Sequence, residues 1–244
     1  MAAPPSFLTA FVADFADGLK AADAKQPQAV NQRSEQIFQP GIGPHTEAQT
    51  VRLVLDQMRA ARPARYSRVE FAVPYPTERR QKCDLSVHAG GEHWFIEVKM
   101  WRLLGDNGKL NDNILLQVLS PYAQHRSAVT DCEKLSSSGF TGRKAILIYG
   151  YEAEGWPLSL VIDAFQTLAR TRTHLSECQA ASFDGLCHPI HRSGAVYGWE
   201  LLGITPHMDV NRLQSSWGED AETEPELDSP SKRLAVLVRV LAFG

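Results

Sequence analysis

Asp84, Glu97 and Lys99 are the residues whose types and spacing point most directly to chemistry. They lie in Lys82-Cys83-Asp84-Leu85-Ser86-Val87-His88-Ala89-Gly90-Gly91-Glu92-His93-Trp94-Phe95-Ile96-Glu97-Val98-Lys99, which reads as two strands joined by a Gly-Gly turn. Counting outward from Gly90-Gly91 pairs Ala89 with Glu92, Val87 with Trp94, Leu85 with Ile96 and Asp84 with Glu97. Alternation then places Cys83, Leu85, Val87, Trp94, Ile96 and Val98 on a core face, and Asp84, Glu97 and Lys99 on the other. Directly opposed carboxylates repel, so the pair needs compensation. A hard divalent cation supplies it, because Mg²⁺ is commonly held by one or two carboxylates plus water and phosphate oxygens. In the alternative, Lys82 and Lys99 neutralise the acids as a solvated ladder. Phe95 and Trp101 share the face and argue that it is covered.

Upstream, Pro44-His45-Thr46-Glu47 opens a helix expected to run to Ala61. Thr46 with Gln49 forms a capping box. Glu47 falls in line with Val51, Val54 and Met58 at helical spacing. A carboxylate on an apolar stripe needs a reason. It is either a first-turn acid favoured by the helix dipole or a member of the same site.

The Asp, twelve intervening residues and Glu97-Val98-Lys99 together resemble the PD-(D/E)xK, or restriction-endonuclease-like, nuclease superfamily, with Cys83 standing where the superfamily name has Pro. The resemblance implies a metal-dependent DNA endonuclease using Mg²⁺, with Mn²⁺ as a substitute. It also implies metal ligation by Asp84, Glu97 and the backbone carbonyl of Val98, and a contribution from Glu47, since many members carry an acid on the helix before the core strands. Lys99 would orient or deprotonate the attacking water and stabilise charge on the phosphate. Gln117 and Tyr122 are similar to a Gln…Tyr motif of one nuclease branch, with a spacing one residue longer, and Tyr122 is expected to pack. Stand-alone members often serve restriction or antiphage defence, others repair or recombination. Two alternatives remain: a non-catalytic nucleic-acid-binding or scaffold protein of the same fold, and a ribonuclease using the same metal chemistry.

The net charge of −3 is not that of a generic duplex binder, but the charge is unevenly distributed. Arg59, Arg62, Arg65, Arg68, Arg79, Arg80 and Lys82 face only Glu70 and Glu78 between positions 59 and 82. This puts candidate phosphate contacts at Arg62, Arg65, Arg79, Arg80 and Lys82, beside the proposed site. Four cysteines without CxxC spacing indicate neither a disulfide framework nor a zinc ribbon. Cys178, Cys187, His188 and His191 fit a zinc site poorly. No apolar run of about 18 residues occurs and the N-terminus lacks a signal-peptide pattern, so a cytoplasmic protein without membrane association is expected.

The elements that must position these residues follow from periodicity. Phe7, Leu8, Phe11, Val12, Phe15 and Leu19 predict an amphipathic helix. A second helix is expected over Gln28 to Phe38, a strand over Tyr66 to Val73, and then the hairpin. One long helix from Asn111 or Asp112, kinked at Pro121, should reach Ser136 to Gly139. Ala145 to Tyr149 reads as a strand buried on both faces, Pro157 to Leu175 as a helix, and Ala195 to Ile204 as a strand. The expected class is α/β: a mixed central sheet flanked by helices, a restriction-endonuclease-like core with extra N-terminal helices. The expected division is a helical segment 1–40, a core 41–217, an acidic linker 218–232 and an apolar segment 233–244. The N-terminal helices are candidates for making a homodimer or engaging a partner protein.

Overall fold

The computed structural model describes residues 5–31, 34–111 and 114–204, so the 218–232 and 233–244 segments lie outside the described residues. Helix α1 (Phe7–Asp23) opens the chain, capped by Ser6, whose hydroxyl accepts the Thr9 N–H at 3.2 Å. Helix α2 (Glu47–Ala61) carries the capping box read from the sequence, with Thr46 and Gln49 satisfying each other's backbone N–H groups. Gly18 lets α1 and α2 pack closely: a Cβ there would lie 2.8 Å from Val54 Cγ1. A short helix α3 (Pro63–Tyr66) leads into β1 (Arg68–Pro74), β2 (Lys82–Ala89) and β3 (Glu92–Trp101). Then come α4 (Ile114–Leu119), a 3₁₀ turn (Ala123–His125), α5 (Ala128–Ser136), β4 (Arg143–Tyr151) and α6 (Leu158–Arg170). The strands β5 (Thr173–Leu175), β6 (Gln179–Phe183) and β7 (Gly194–Ile204) complete the described elements.

The strands form one mixed sheet in the order β1-β2-β3-β4-β7-β5, with β6 also paired to β7. Among the described strands only β3 and β4 run parallel, and every other pairing is antiparallel. The β2–β3 register follows the Gly-Gly turn from Ala89 opposite Glu92 to Leu85 opposite Ile96, and the expected Asp84–Glu97 pair lies just beyond the end of this regular ladder. Gly90 and Gly91 have φ of 60° and 82°, and a side chain at either would meet nothing within 4 Å, so backbone conformation rather than space requires glycine there.

Helices cover both faces of the sheet. On one, Phe11, Phe15 and Leu19 of α1 and Val54 and Leu55 of α2 pack with Leu85, Val87, Ile96, Val98 and Leu147. On the other, α4, α5 and α6 cover Phe95, Trp101, Ile146, Ile148 and Trp199. Alternate residues of β4 enter the two layers, as its continuous apolar run requires. Among the described residues no helix is long and apolar enough to cross a membrane.

Four local expectations are corrected. The described residues of 28–38 form no helix; they make an isolated bridge between Val30 and Ile37, 54% and 63% exposed, because the segment has no apolar stripe to bury. The long helix ending near Gly139 is broken into α4, the 3₁₀ turn and α5, since Pro121 cannot donate to the ladder and excludes its predecessor from helical geometry; Asp112, one of its expected caps, lies outside the described residues. The helix after Pro157 stops at Arg170, and Thr173–Leu175 instead pairs with β7. Cys83 does not share the layer of Leu85. It packs with Tyr75, Phe95 and Trp101, and between the Phe71–Leu85 and Val73–Cys83 pairs Ala72 has φ 55°, so strict alternation is lost at Asp84.

Candidate active site

Asp84 comes from β2 at the point where regular pairing with β3 ends, and its Oδ2 accepts the Val98 N–H at 2.8 Å. That bond aims the carboxylate across the strand pair, where its charge acts on the Glu97 carboxyl. Glu97 is buried, with 2% exposure. It accepts a hydrogen bond from the Tyr75 hydroxyl and forms an ion pair with Lys134 at 3.0 Å. Lys99, one side-chain period further along β3, pairs with Asp131 at 2.7 Å. Lys134 also reaches Asp131 at 2.7 Å and lies 5.0 Å from the centre of the Tyr75 ring. Asp131 and Lys134 are three residues apart on α5, which therefore covers the face of β3 that alternation marks as chemical.

Glu47 arrives from α2, and its Oε2 accepts the Met100 N–H at 2.5 Å. A second tie holds the same junction: Arg102, two residues beyond, donates to the carbonyls of Gly43 at 2.6 Å and His45 at 3.1 Å. The start of α2 is thus moored to the end of β3. The structure brings Glu47, Asp84, Glu97 and Lys99 into one neighbourhood, close enough that the Glu47 charge acts on Asp84 and the Lys99, Asp131 and Glu97 charges act on Glu47.

The electrostatics are those of crowded acids. Burial, then the Asp131 and Asp84 charges, push the Glu97 carboxyl well above the usual range. Burial also raises Asp84 and Glu47, against the opposing pull of Lys99. Lys99 is shifted upward despite its burial, because Asp131, Glu47 and Asp84 favour the ammonium form. Four carboxyl groups, at Glu47, Asp84, Glu97 and Asp131, face two ammonium groups, at Lys99 and Lys134. Fully ionised, the set is short of two positive charges, the charge of one divalent cation. The carboxylate oxygens are of the hard type such an ion prefers, while among the described residues no three Asp, Glu, His or Cys side chains are grouped so as to hold a metal ion as they stand.

A cavity of about 680 Å³ opens over the site, with Asp84, Glu97, Lys99 and Asp131 in its wall. Arg80, Lys82, Arg126 and Arg172 line it too, with Glu133 paired to Arg172 at 2.7 Å, so the floor is acidic and the margin basic through Arg80, Lys82 and Arg126. Of the cations expected to contact phosphate, Arg80 and Lys82 are therefore at the cavity, and Arg79 is exposed on the chain beside them. Arg62 and Arg65 are elsewhere: they pair with buried Asp14 of α1 at 3.1 and 2.8 Å, and Tyr66 adds a hydrogen bond to the same carboxylate at 2.6 Å. Gln117 is exposed on α4. Tyr122, expected to pack, is 51% exposed, because the chain leaves the helix at Pro121 before it can turn inward.

Cys178, Cys187, His188 and His191 do not form one cluster: the His188 and His191 rings stack at 4.5 Å, and the two cysteines bond to backbone carbonyls elsewhere. His188 pairs with Asp106 at 2.5 Å, His191 with the Leu104 carbonyl at 2.9 Å, and Cys187 with backbone carbonyls of Asp23 and Pro40. Sequence reasoning missed Tyr75, Arg126, Asp131 and Lys134. A signal existed for the α5 pair, since Asp131 and Lys134 flank the apolar positions Ala128, Cys132 and Leu135 at helical spacing. Tyr75, between Pro74 and Pro76, carried no comparable signal.

No protein-family model matches this chain, and comparison with curated proteins and with solved structures finds no match.

Proposed function

We propose that this chain is a divalent-cation-dependent phosphodiesterase acting on DNA, with the site organisation of the PD-(D/E)xK nucleases. The observation that carries this reading is the convergence of Asp84, Glu97, Asp131, Lys99 and Lys134 in the wall of a cation-lined cavity, with Glu47 tied to the end of β3 beside them. Asp84 and Glu97 would hold Mg²⁺ or Mn²⁺, with the Val98 carbonyl and Glu47 as further oxygen donors. When bound, the ion supplies Lewis acidity and charge compensation at a phosphate. Asp131 fixes the Lys99 ammonium at 2.7 Å and favours its charged form. Lys99 therefore acts as a positive charge beside the reacting phosphate rather than as a base, stabilising the oxygens that gain charge as water attacks. Lys134 and Tyr75 hold Glu97 in place from the opposite side. Arg80 and Lys82 at the margin attract the polyanion.

The test is cleavage of supercoiled plasmid by wild-type and Asp84→Ala protein with Mg²⁺, with Mn²⁺ and with EDTA. Nicking or linearisation that requires the metal and is lost in the variant is expected. Folded wild-type protein that leaves plasmid, single-stranded DNA and RNA all intact under these conditions would overturn the reading. Lys99→Ala should abolish cleavage with folding intact; cleavage retained there removes Lys99 from the mechanism. Matched DNA and RNA substrates separate a deoxyribonuclease from a ribonuclease.

A further inference from the structure

The break between α4 and α5 is a built structure, and it sits at the cavity mouth. Ser120 and Ser127, both buried, close it: the Ser127 hydroxyl donates to the Ser120 carbonyl at 2.5 Å, and the Ser120 hydroxyl binds His125 Nδ1 at 2.6 Å and accepts the Tyr122 N–H at 3.2 Å. Between these two serines, Pro121 and Arg126 line the cavity. Arg126 holds φ at 49°, a conformation a non-glycine residue keeps only when its surroundings enforce it. Tyr122 is 51% exposed, with its ring edge-on to exposed His125 at 6.0 Å. The turn thus uses one buried and two half-buried hydrogen bonds to hold an exposed aromatic ring and a cation.

Arg126 lines the cavity, Tyr122 follows Pro121 of its wall in the chain, and the deepest acids of the cavity are almost inaccessible from outside. Glu97, beneath α5, and Asp131, on α5, are 2% and 3% exposed. A phosphodiester reaches them only by entering the cavity, which at about 680 Å³ has the size of a small-molecule pocket. Duplex DNA is stiff over such distances, whereas an unpaired strand bends readily and leaves its bases free to stack. Arg80, Lys82 and Arg126 are exposed cations on the margin that complement a strand's phosphates. Stacking surfaces interleaved with cations are the composition that binds unpaired strands.

Resting on the phosphodiesterase reading, we infer that the substrate is a single-stranded polynucleotide segment, with Tyr122 stacking an unpaired base and Arg126 contacting a neighbouring phosphate at the cavity mouth. The experiment is fluorescence anisotropy in EDTA, so that binding is read without cleavage, with a labelled oligo-dT, the matching oligo-U and a DNA duplex of equal length. The single strand should bind at least roughly tenfold more tightly than the duplex. Tyr122→Ala should weaken single-strand binding roughly tenfold and leave the duplex unchanged, while Tyr122→Phe restores it. Arg126→Ala should weaken all strands and reduce the salt dependence of binding. The DNA and RNA strands distinguish the two sources of an unpaired segment. Equal affinity for duplex and single strand, or indifference to Tyr122→Ala, overturns the inference. If that result accompanies metal-dependent plasmid cleavage, the phosphodiesterase reading survives it; if no polynucleotide is bound or cut, both fall.

Discussion

At the scale of single residues, the site is a set of acids held closer than their charges favour, and that has a thermodynamic signature. Glu97 keeps its proton more tightly in the folded chain than in the unfolded one. The folded state therefore holds more protons from the ordinary glutamate pKa up to the raised value, and stability falls as pH rises through that interval. Urea melts of the metal-free protein across that interval should show this fall, and Glu97→Gln should flatten it while raising stability at the alkaline end by on the order of 1 kcal/mol. The same variant should lose cleavage. An unchanged pH slope would mean that the neighbouring lysines already neutralise the site. At this scale the sequence was legible where residues lie on one hairpin, because a two-residue turn leaves one register. It was not legible for Asp131 and Lys134, whose arrival depends on how α5 crosses the sheet. Nor did a run of arginines in the sequence reveal that Arg62 and Arg65 neutralise Asp14 from the α1 side.

At the scale of elements, signals written in local chemistry survive folding and those resting on composition do not. The capping box at Thr46, the Gly-Gly turn and the doubly buried β4 each appear where their residues place them. The expected helix over 28–38 had polar residues and no apolar face, and tertiary structure gave it nothing to pack on. β6 is short and half exposed, and its pairing with β7 supplies the order its own sequence lacks. Thr46 also carries a consequence for the site, since it fixes the turn that presents Glu47 to the Met100 amide. Thr46→Ala should cost about 1 kcal/mol in urea-melt stability and raise the metal concentration that cleavage requires; a stability loss with an unchanged metal requirement would confine Thr46 to the helix.

At the scale of the whole molecule, the fold draws its acids from four distant places, at positions 47, 84, 97 and 131. Three of the contributing elements meet on β3, flanked on one side by the β2 hairpin and on the other by the parallel partner β4. The net charge of −3 hides this division between acidic floor and basic margin, which is why composition alone did not point to a polyanion. The parallel pairing has a further consequence in time. A hairpin closes over two residues, but β3 and β4 can align only after the whole connection between Trp101 and Arg143, which contains α4 and α5, has been drawn in. Pulse-labelling hydrogen exchange during refolding should find amides of β2 and β3 protected before those of α5; simultaneous protection would contradict it. The hairpin acids would then stand assembled early without Asp131 and Lys134, so the nascent molecule would pass through an interval in which its most repulsive pair has no lysine from α5 to quiet it.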